Sequence, residues 1–119
     1  ESIAIEYLIE NRGKELKGHS FDFSEIGSWW DRKGNEIDIC AYSKDNNWAL
    51  FGEVKWSNKP IDMSIIAGLE AKIKLVNFKG KVQLAFFSKV GIEEKAKKYC
   101  LEKGYWAFDL KDIMDCESS

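Results

Sequence analysis

The chain has 119 residues, of which 45% are hydrophobic and 32% are charged, with a formal net charge of −2. This length suits one domain with its own core, and the composition is typical of a folded protein rather than a disordered one. We expect no membrane segment, because no apolar run reaches spanning length and no basic-then-apolar leader is present. Three widely spaced cysteines without a C-x-x-C pair argue against a zinc site or a disulfide scaffold and favour a reducing cytoplasm: Cys40, Cys100 and Cys116.

The sequence starts at a glutamate within a helical pattern and lacks an initiator methionine. We therefore expect residues 1–119 to form a single domain of a longer protein. Charge is unevenly distributed: the segment from Gly68 to Gly104 contains nine lysines and only four glutamates. A basic second half could flank a phosphate-binding site. Ordinary solvated helix faces explain any single lysine about equally well.

Hydrophobic periodicity predicts the elements in chain order. The first helix has an apolar stripe of Ala4, Ile5, Leu8 and Ile9 and stops at Gly13, and a polar loop follows it. The predicted elements are a helix at 2–12, strands at 25–30, 36–43 and 48–56, a helix at 62–76, a strand at 81–88, a helix at 92–103 and a strand at 105–109. This order, αβββαβαβ, predicts an α/β fold with a mixed sheet flanked by helices.

Two neighbouring strands carry the residues of greatest chemical interest. Residues 44–47 form a four-residue turn, which pairs Ser43 with Trp48. Counting outward places Asp38 opposite Glu53, on one face, with Cα atoms roughly 4.5–5.5 Å apart. Because side chains alternate along a strand, Lys55 shares the face of Glu53. The register therefore predicts a cluster of two carboxylates and one amine.

Two directly opposed carboxylates repel each other and weaken a sheet unless a cation lies between them. Hard cations such as Mg²⁺ or Mn²⁺ prefer carboxylate and water oxygens and can activate water for attack on phosphorus. An adjacent lysine can orient that water or stabilise the charge that develops on the phosphate. The alternative is a surface strand in which Glu53 pairs with Lys55 for solubility. The apolar neighbours Ile39, Phe51 and Val54 make a fully solvated strand the weaker alternative.

Asp38 with Glu53-Val54-Lys55 resembles the core of the PD-(D/E)XK nuclease superfamily, which includes restriction endonucleases and archaeal Holliday-junction resolvases. More narrowly, three segments are similar to the C-terminal domain of archaeal-type P-loop ATPases, a family largely of unknown function. These segments are Ile26-Gly27-Ser28-Trp29-Trp30, Glu36-Ile37-Asp38-Ile39 and Phe51-Gly52-Glu53-Val54-Lys55-Trp56. The resemblance spans about the whole chain, with Ile37 where the superfamily name has proline.

The resemblance implies a restriction-endonuclease-like fold and Mg²⁺- or Mn²⁺-dependent hydrolysis of DNA, with Asp38 and Glu53 as metal ligands and Lys55 as the catalytic amine. It also implies a P-loop ATPase domain of the same parent chain as a partner, and it leaves a homodimer open. In that superfamily a glutamate of the first helix often completes the metal site. Glu1 lies on the apolar stripe, whereas Glu6 and Glu10 lie on the far side, so Glu1 is the better candidate. A solvated acid at the helix start explains Glu1 about equally well.

Several residues carry weaker predictions. One of Trp29 and Trp30 should pack inside while the other could meet a base or a partner domain. Candidate phosphate contacts are Arg32 and Lys33 in the turn before Asp38, and Lys72 and Lys74 on the second helix. The rival to the nuclease is a catalytically idle module that binds nucleic acid or docks a partner, since fold alone does not decide function.

Overall fold

The computed structural model describes residues 2–16, 19–44 and 47–113. Its elements in chain order are α1 (Ser2–Glu10), β1 (Lys14–Leu16), β2 (His19–Phe21), β3 (Glu25–Trp30), β4 (Glu36–Ser43), β5 (Trp48–Lys55), α2 (Met63–Val76), β6 (Lys81–Ser88), α3 (Glu94–Lys103) and β7 (Trp106–Phe108). A last helical turn covers residues 110–113. The described helices are all too short or too polar to cross a lipid bilayer.

The main sheet has five strands in the order β3-β4-β5-β6-β7. The first three strands form an antiparallel meander, and β6 and β7 continue the sheet in parallel with β5. The helices α2 and α3 provide the crossovers that parallel neighbours require. This arrangement confirms the predicted α/β class and the mixed sheet flanked by helices.

Each face of the main sheet packs against helices and forms its own apolar cluster. On one face, called the α1 face, Ala4 and Leu8 of α1 pack against Leu50 and Val54 of β5. On the other, called the α2 face, apolar residues of α2 and α3 pack against alternate residues of the same strands, among them Ile66, Leu69, Ala96, Cys100, Phe51 and Phe86. Every second residue of β5 therefore faces α2, which decides where its polar side chains lie.

Local interactions fix the ends of the elements around the site. Asp62 is the N-cap of α2, and its Oδ1 accepts a hydrogen bond from the Ile65 N–H at 3.1 Å. The β3–β4 turn closes on Asp31, whose carboxylate accepts hydrogen bonds from the backbone N–H groups of Lys33 and Asn35, each at 2.9 Å. In β5 a Cβ at Gly52 would lie only 3.3 Å from Cβ of Ile39, so glycine there allows β4 and β5 to approach closely.

Three details of the predicted fold are wrong. The segment after α1 contains two paired strands, β1 and β2, so the described residues hold two strands more than expected. The first helix ends at Glu10 rather than at residue 12. Its buried stripe includes Tyr7, and Asn11 directly after the helix is buried as well, whereas Ile9 is half exposed. The stripe is rotated because the ring of Tyr7 packs edge-on against Phe87 and Phe108, which the helical pattern alone does not reveal.

Candidate metal-binding and catalytic site

The candidate site lies at the carboxyl end of β5, where this strand runs parallel to β6. Open α/β sheets place their ligand sites at the carboxyl ends of parallel strands. The β4–β5 register runs from Ser43 opposite Trp48 to Ile39 opposite Gly52, as the four-residue turn predicts. The ladder ends at Ile39 and Gly52, and Asp38 and Glu53 follow next on the two strands, close enough for the Asp38 carboxylate to act on Glu53. The structure thus brings the two predicted carboxylates together.

A β-bulge in β4 changes how Asp38 is presented. In the β3–β4 ladder, Gly27 pairs with Cys40 and Trp29 pairs with Ile37. Two residues of β4, Asp38 and Ile39, therefore stand opposite the single residue Ser28 of β3. Ile37 and Cys40 both join the cluster on the α2 face, which a regular strand would forbid because their positions have opposite parity. The extra residue lets β4 change its alternation at Asp38.

The Asp38 side chain takes over a backbone partner at this bulge. Its Oδ2 accepts a hydrogen bond from the Val54 N–H at 2.8 Å. A side chain that replaces a carbonyl as acceptor satisfies a buried donor that the interrupted ladder leaves open. Asp38 is partly buried, and this bond fixes its carboxylate beside β5. Asp38 therefore has a structural role, and metal ligation by the same carboxylate stays a prediction.

Glu53 is buried beside the α2 helix. Its side chain is 8% exposed, and its Oε1 accepts a hydrogen bond from Nζ of Lys72 at 2.8 Å. Burial raises the pKa of Glu53 above its ordinary value, and the charge and hydrogen bonding of Asp38 raise it further, whereas Lys72 lowers it. The expected repulsion between the two carboxylates is thus present, and a lysine ammonium partly offsets it.

Lys55 shares the face of Glu53, because Val54 between them packs on the α1 face. It is the last residue of β5 and pairs in parallel with Ser88 of β6. Its side chain is exposed. The alternative in which Glu53 forms a surface pair with Lys55 is wrong, because Glu53 is buried and bonds to Lys72. Lys55 therefore extends from the same face of β5 as Glu53, with its side chain exposed to solvent.

Two carboxylates suit a hard divalent cation that needs few protein ligands because water and substrate complete its coordination. Mg²⁺ is commonly held by one or two carboxylates with waters and substrate phosphates completing its octahedron, so Asp38 and Glu53 supply the kind of ligands that it needs. Among the described residues no group of three or more His, Cys, Asp or Glu side chains could enclose a metal ion. The proposed third ligand, Glu1, lies outside the described residues, and Glu6 and Glu10 are exposed.

The weaker candidates fall in different places. Arg32 and Lys33 are exposed in the β3–β4 turn, at the same end of the sheet as Asp38 and Lys55. Lys72 and Lys74 do not act together. Lys72 faces Glu53, whereas Lys74 is exposed and lies near Glu70. Burial tends to raise the pKa of Glu70, but hydrogen bonds from Tyr105 and Tyr99 and the positive charge of Lys74 lower it below its ordinary value.

The tryptophans follow the predicted division. Trp29 packs against the cluster on the α2 face, and Trp30 is 71% exposed on the edge strand β3. Trp56, which follows Lys55, packs against the opposite cluster. A cavity of about 680 Å³ lies nearby between α3 and the carboxyl ends of β6 and β7. Its lining includes Ser88 but neither carboxylate of the pair, so it adjoins the candidate site without containing it.

Residues 1–73 match the model of family DUF234, described as archaea bacterial proteins of unknown function. The chain belongs to this family. It is also 39% identical over 118 residues to an uncharacterized protein of Methanocaldococcus jannaschii. This alignment covers 95% of the chain and 24% of that protein, so the chain spans about a quarter of the relative's length. No solved structure matches the chain.

The DUF234 match includes Asp38, Glu53 and Lys72, which lie together, and Lys55 at the end of the same strand: residues 1–73 cover all four. The pairing of Lys72 with Glu53 was not predicted, although the sequence carries a signal for it. On the α2 helix, Lys72 lies roughly 60° from Leu69, within the buried stripe, whereas Lys74 lies roughly 140° away. A lysine beside an apolar stripe is expected to direct its ammonium to an acidic partner or to water, and here Glu53 is the partner.

Proposed function

We propose that this chain is a Mg²⁺- or Mn²⁺-dependent DNA nuclease module of the PD-(D/E)XK type. The observation that carries the proposal is that the buried Glu53 lies beside Asp38 at the carboxyl end of β5. A β-bulge and a hydrogen bond from the Val54 N–H hold Asp38 in place there. A buried carboxylate beside a second, partly buried one costs folding free energy, and such an arrangement with a raised pKa is typical of a functional site.

The roles follow from position. Asp38 and Glu53 would hold the metal ion, which when bound supplies Lewis-acid stabilisation of the scissile phosphate and activates water. Lys55, exposed at the end of β5, would donate hydrogen bonds to the phosphoryl oxygens on which negative charge develops. Arg32 and Lys33, exposed at the same end of the sheet, would contact neighbouring phosphates.

The proposal extends to the protein's context. The resemblance to the C-terminal domain of archaeal-type P-loop ATPases supports an ATPase domain elsewhere in the same polypeptide as partner. The length of the relative, of which the chain covers 24%, is compatible with such a further domain. We propose a cytoplasmic setting, where DNA is available and where the buried thiols of Cys40 and Cys100 stay reduced.

A cleavage assay tests the function directly. The chain is incubated with supercoiled, linear, single-stranded and branched DNA, with Mg²⁺, with Mn²⁺ or with chelator. We expect metal-dependent cleavage of at least one form, and loss of that cleavage in the double variant Asp38→Asn with Glu53→Gln. Cleavage that persists in the double variant would exclude this site as its source, and the absence of cleavage on all forms would contradict the nuclease.

A module that docks a partner or binds nucleic acid without cutting is the second candidate. The observation that favours it is Trp30, which is 71% exposed on the free edge of the sheet. Large exposed aromatic side chains are enriched where proteins meet partners or bases. Binding of DNA that is independent of metal and impaired by Trp30→Ala would support this candidate.

A further inference from the structure

The two partners of the ion pair between Glu53 and Lys72 differ in their access to solvent. The Glu53 side chain is 8% exposed and lies on the sheet, whereas the Lys72 side chain is 30% exposed and lies on a helix surface. A lysine ammonium on a four-carbon stem can turn into water at little cost, because its charge is strongly hydrated there. If the pair opens, Lys72 is the partner that leaves.

The ammonium also occupies one of the two oxygens with which Glu53 could bind a metal ion. Nζ of Lys72 lies 2.8 Å from Oε1 of Glu53, at direct contact distance, on the carboxylate that faces Asp38. A divalent cation bound to the same oxygen would stand next to this positive charge, and like charges at such a distance repel each other strongly. The two cations cannot share this oxygen without a large cost.

We propose that Lys72 is an internal counter-ion that occupies Glu53 in the metal-free protein and is displaced when a divalent cation binds. Lys72 thereby sets the metal concentration at which the site is loaded, and it stabilises the buried carboxylate until then. This inference rests on the proposed function, since it assigns Asp38 and Glu53 as ligands. Lys72 is a positioning residue here, because it acts on the metal site through Glu53.

Mn²⁺ affinity provides the test. Dissociation constants are measured by calorimetry for the wild-type chain, Lys72→Met and Lys74→Met, the last being a matched control on the same helix that lies away from Glu53. We expect Lys72→Met to bind Mn²⁺ at least about tenfold more tightly than the wild type, about 1.4 kcal/mol. Lys74→Met should stay within about twofold of the wild type. Lys72→Arg, which keeps the charge, should also stay near the wild type.

A second readout follows the ammonium itself. The ¹H–¹⁵N signal of the Lys72 ammonium, assigned by its absence in Lys72→Met, should be visible in chelator and should shift or broaden on addition of Mg²⁺. Folding of each variant is checked by circular dichroism, and Lys72→Gln replaces Lys72→Met if the latter does not fold.

The outcomes separate the two proposals. One outcome is that the wild type binds metal, Lys72→Met binds it equally or more weakly, and the ammonium signal does not respond to Mg²⁺. This outcome overturns the proposed role of Lys72 and leaves the nuclease proposal intact. Binding by Lys72→Met alone supports the counter-ion, since the lysine then blocks the site completely. No Mn²⁺ binding by any variant overturns the metal site and the counter-ion with it.

Discussion

The backbone N–H of Val54 donates a hydrogen bond to Oδ2 of Asp38 at 2.8 Å, across the point where the β4 strand bulges. This bond couples the candidate chemistry to the fold, because the same carboxylate that would bind a metal also satisfies a buried donor of the neighbouring strand. Substitutions at Asp38 therefore change two properties, and a suitable pair of variants separates them.

The first prediction contrasts Asp38→Asn with Asp38→Ala. Asparagine keeps an oxygen that accepts from Val54 and removes the charge that repels Glu53, so the free energy of unfolding should stay equal or rise slightly. Alanine leaves the buried Val54 N–H without this acceptor, which should cost about 1–3 kcal/mol. Both variants should lose metal-dependent cleavage. Urea denaturation in chelator measures the first effect, and equal stability of the two variants would contradict the structural role of the bond.

The second prediction concerns pH. The pKa of Glu53 is raised in the folded protein above its ordinary value of 4.5, so the folded state holds this proton more tightly than the unfolded state does. Its contribution to stability is therefore complete below pH 4.5 and is lost as pH rises through the raised pKa. Glu53→Gln lacks this titration. In chelator, the stability of Glu53→Gln relative to the wild type should increase with pH across this window.

Denaturation curves at a series of pH values measure this difference. Glu70→Gln serves as the contrasting control, because the pKa of Glu70 is lowered rather than raised and its loss should change stability with the opposite pH trend. A Glu53→Gln difference that does not vary with pH, or that falls as pH rises, would show that Glu53 does not have a raised pKa.

The main features of the site were predictable from sequence for a definite physical reason. A four-residue connection fixes the pairing of Ser43 with Trp48, and a strand period of two then determines the face of every residue as far as Ile39 and Gly52. The bulge at Asp38 was not predictable, because it depends on how β4 pairs with β3 rather than with β5. Alternation within one strand carries no information about a second ladder.

Two other features of the structure were missed because local sequence patterns do not specify them. The strands β1 and β2 have three residues each and pair with one another, and three residues are too few to show a hydrophobic period. The partner of Lys72 depends on how α2 lies over the sheet, a long-range relationship that the helical stripe indicates without specifying. Local patterns thus predicted elements and register, whereas contacts between layers needed the structure.

The third prediction compares the adjacent tryptophans of β3. Trp29→Ala removes a ring that packs against the cluster on the α2 face and should lower the free energy of unfolding by roughly 2–3 kcal/mol. Trp30→Ala removes a ring that is 71% exposed and should change it by less than about 0.5 kcal/mol. Thermal or urea unfolding measures both values. Similar losses in the two variants would contradict the described orientation of β3.

The last prediction concerns Lys55, which best separates a nuclease from a binding module. As a catalytic amine, it stabilises charge that develops only in the transition state, so Lys55→Ala should cut cleavage by orders of magnitude. Metal and DNA affinity should remain within about tenfold, about 1.4 kcal/mol. Folding stability should hold, because the side chain is exposed and lies at the end of β5.

The alternatives give distinct results in the same measurements. If Lys55 is only a phosphate contact, its loss should weaken DNA binding and reduce the salt dependence of affinity by about one counterion, with cleavage lowered only as binding is. Lys89→Ala provides a control, because Lys89 is an exposed lysine whose N–H bonds to the carbonyl of Lys55 and whose side chain has no assigned role. Cleavage by Lys55→Ala at the wild-type rate would remove the catalytic amine from the mechanism, and with it the strongest distinction between this chain and a module that binds DNA without cutting it.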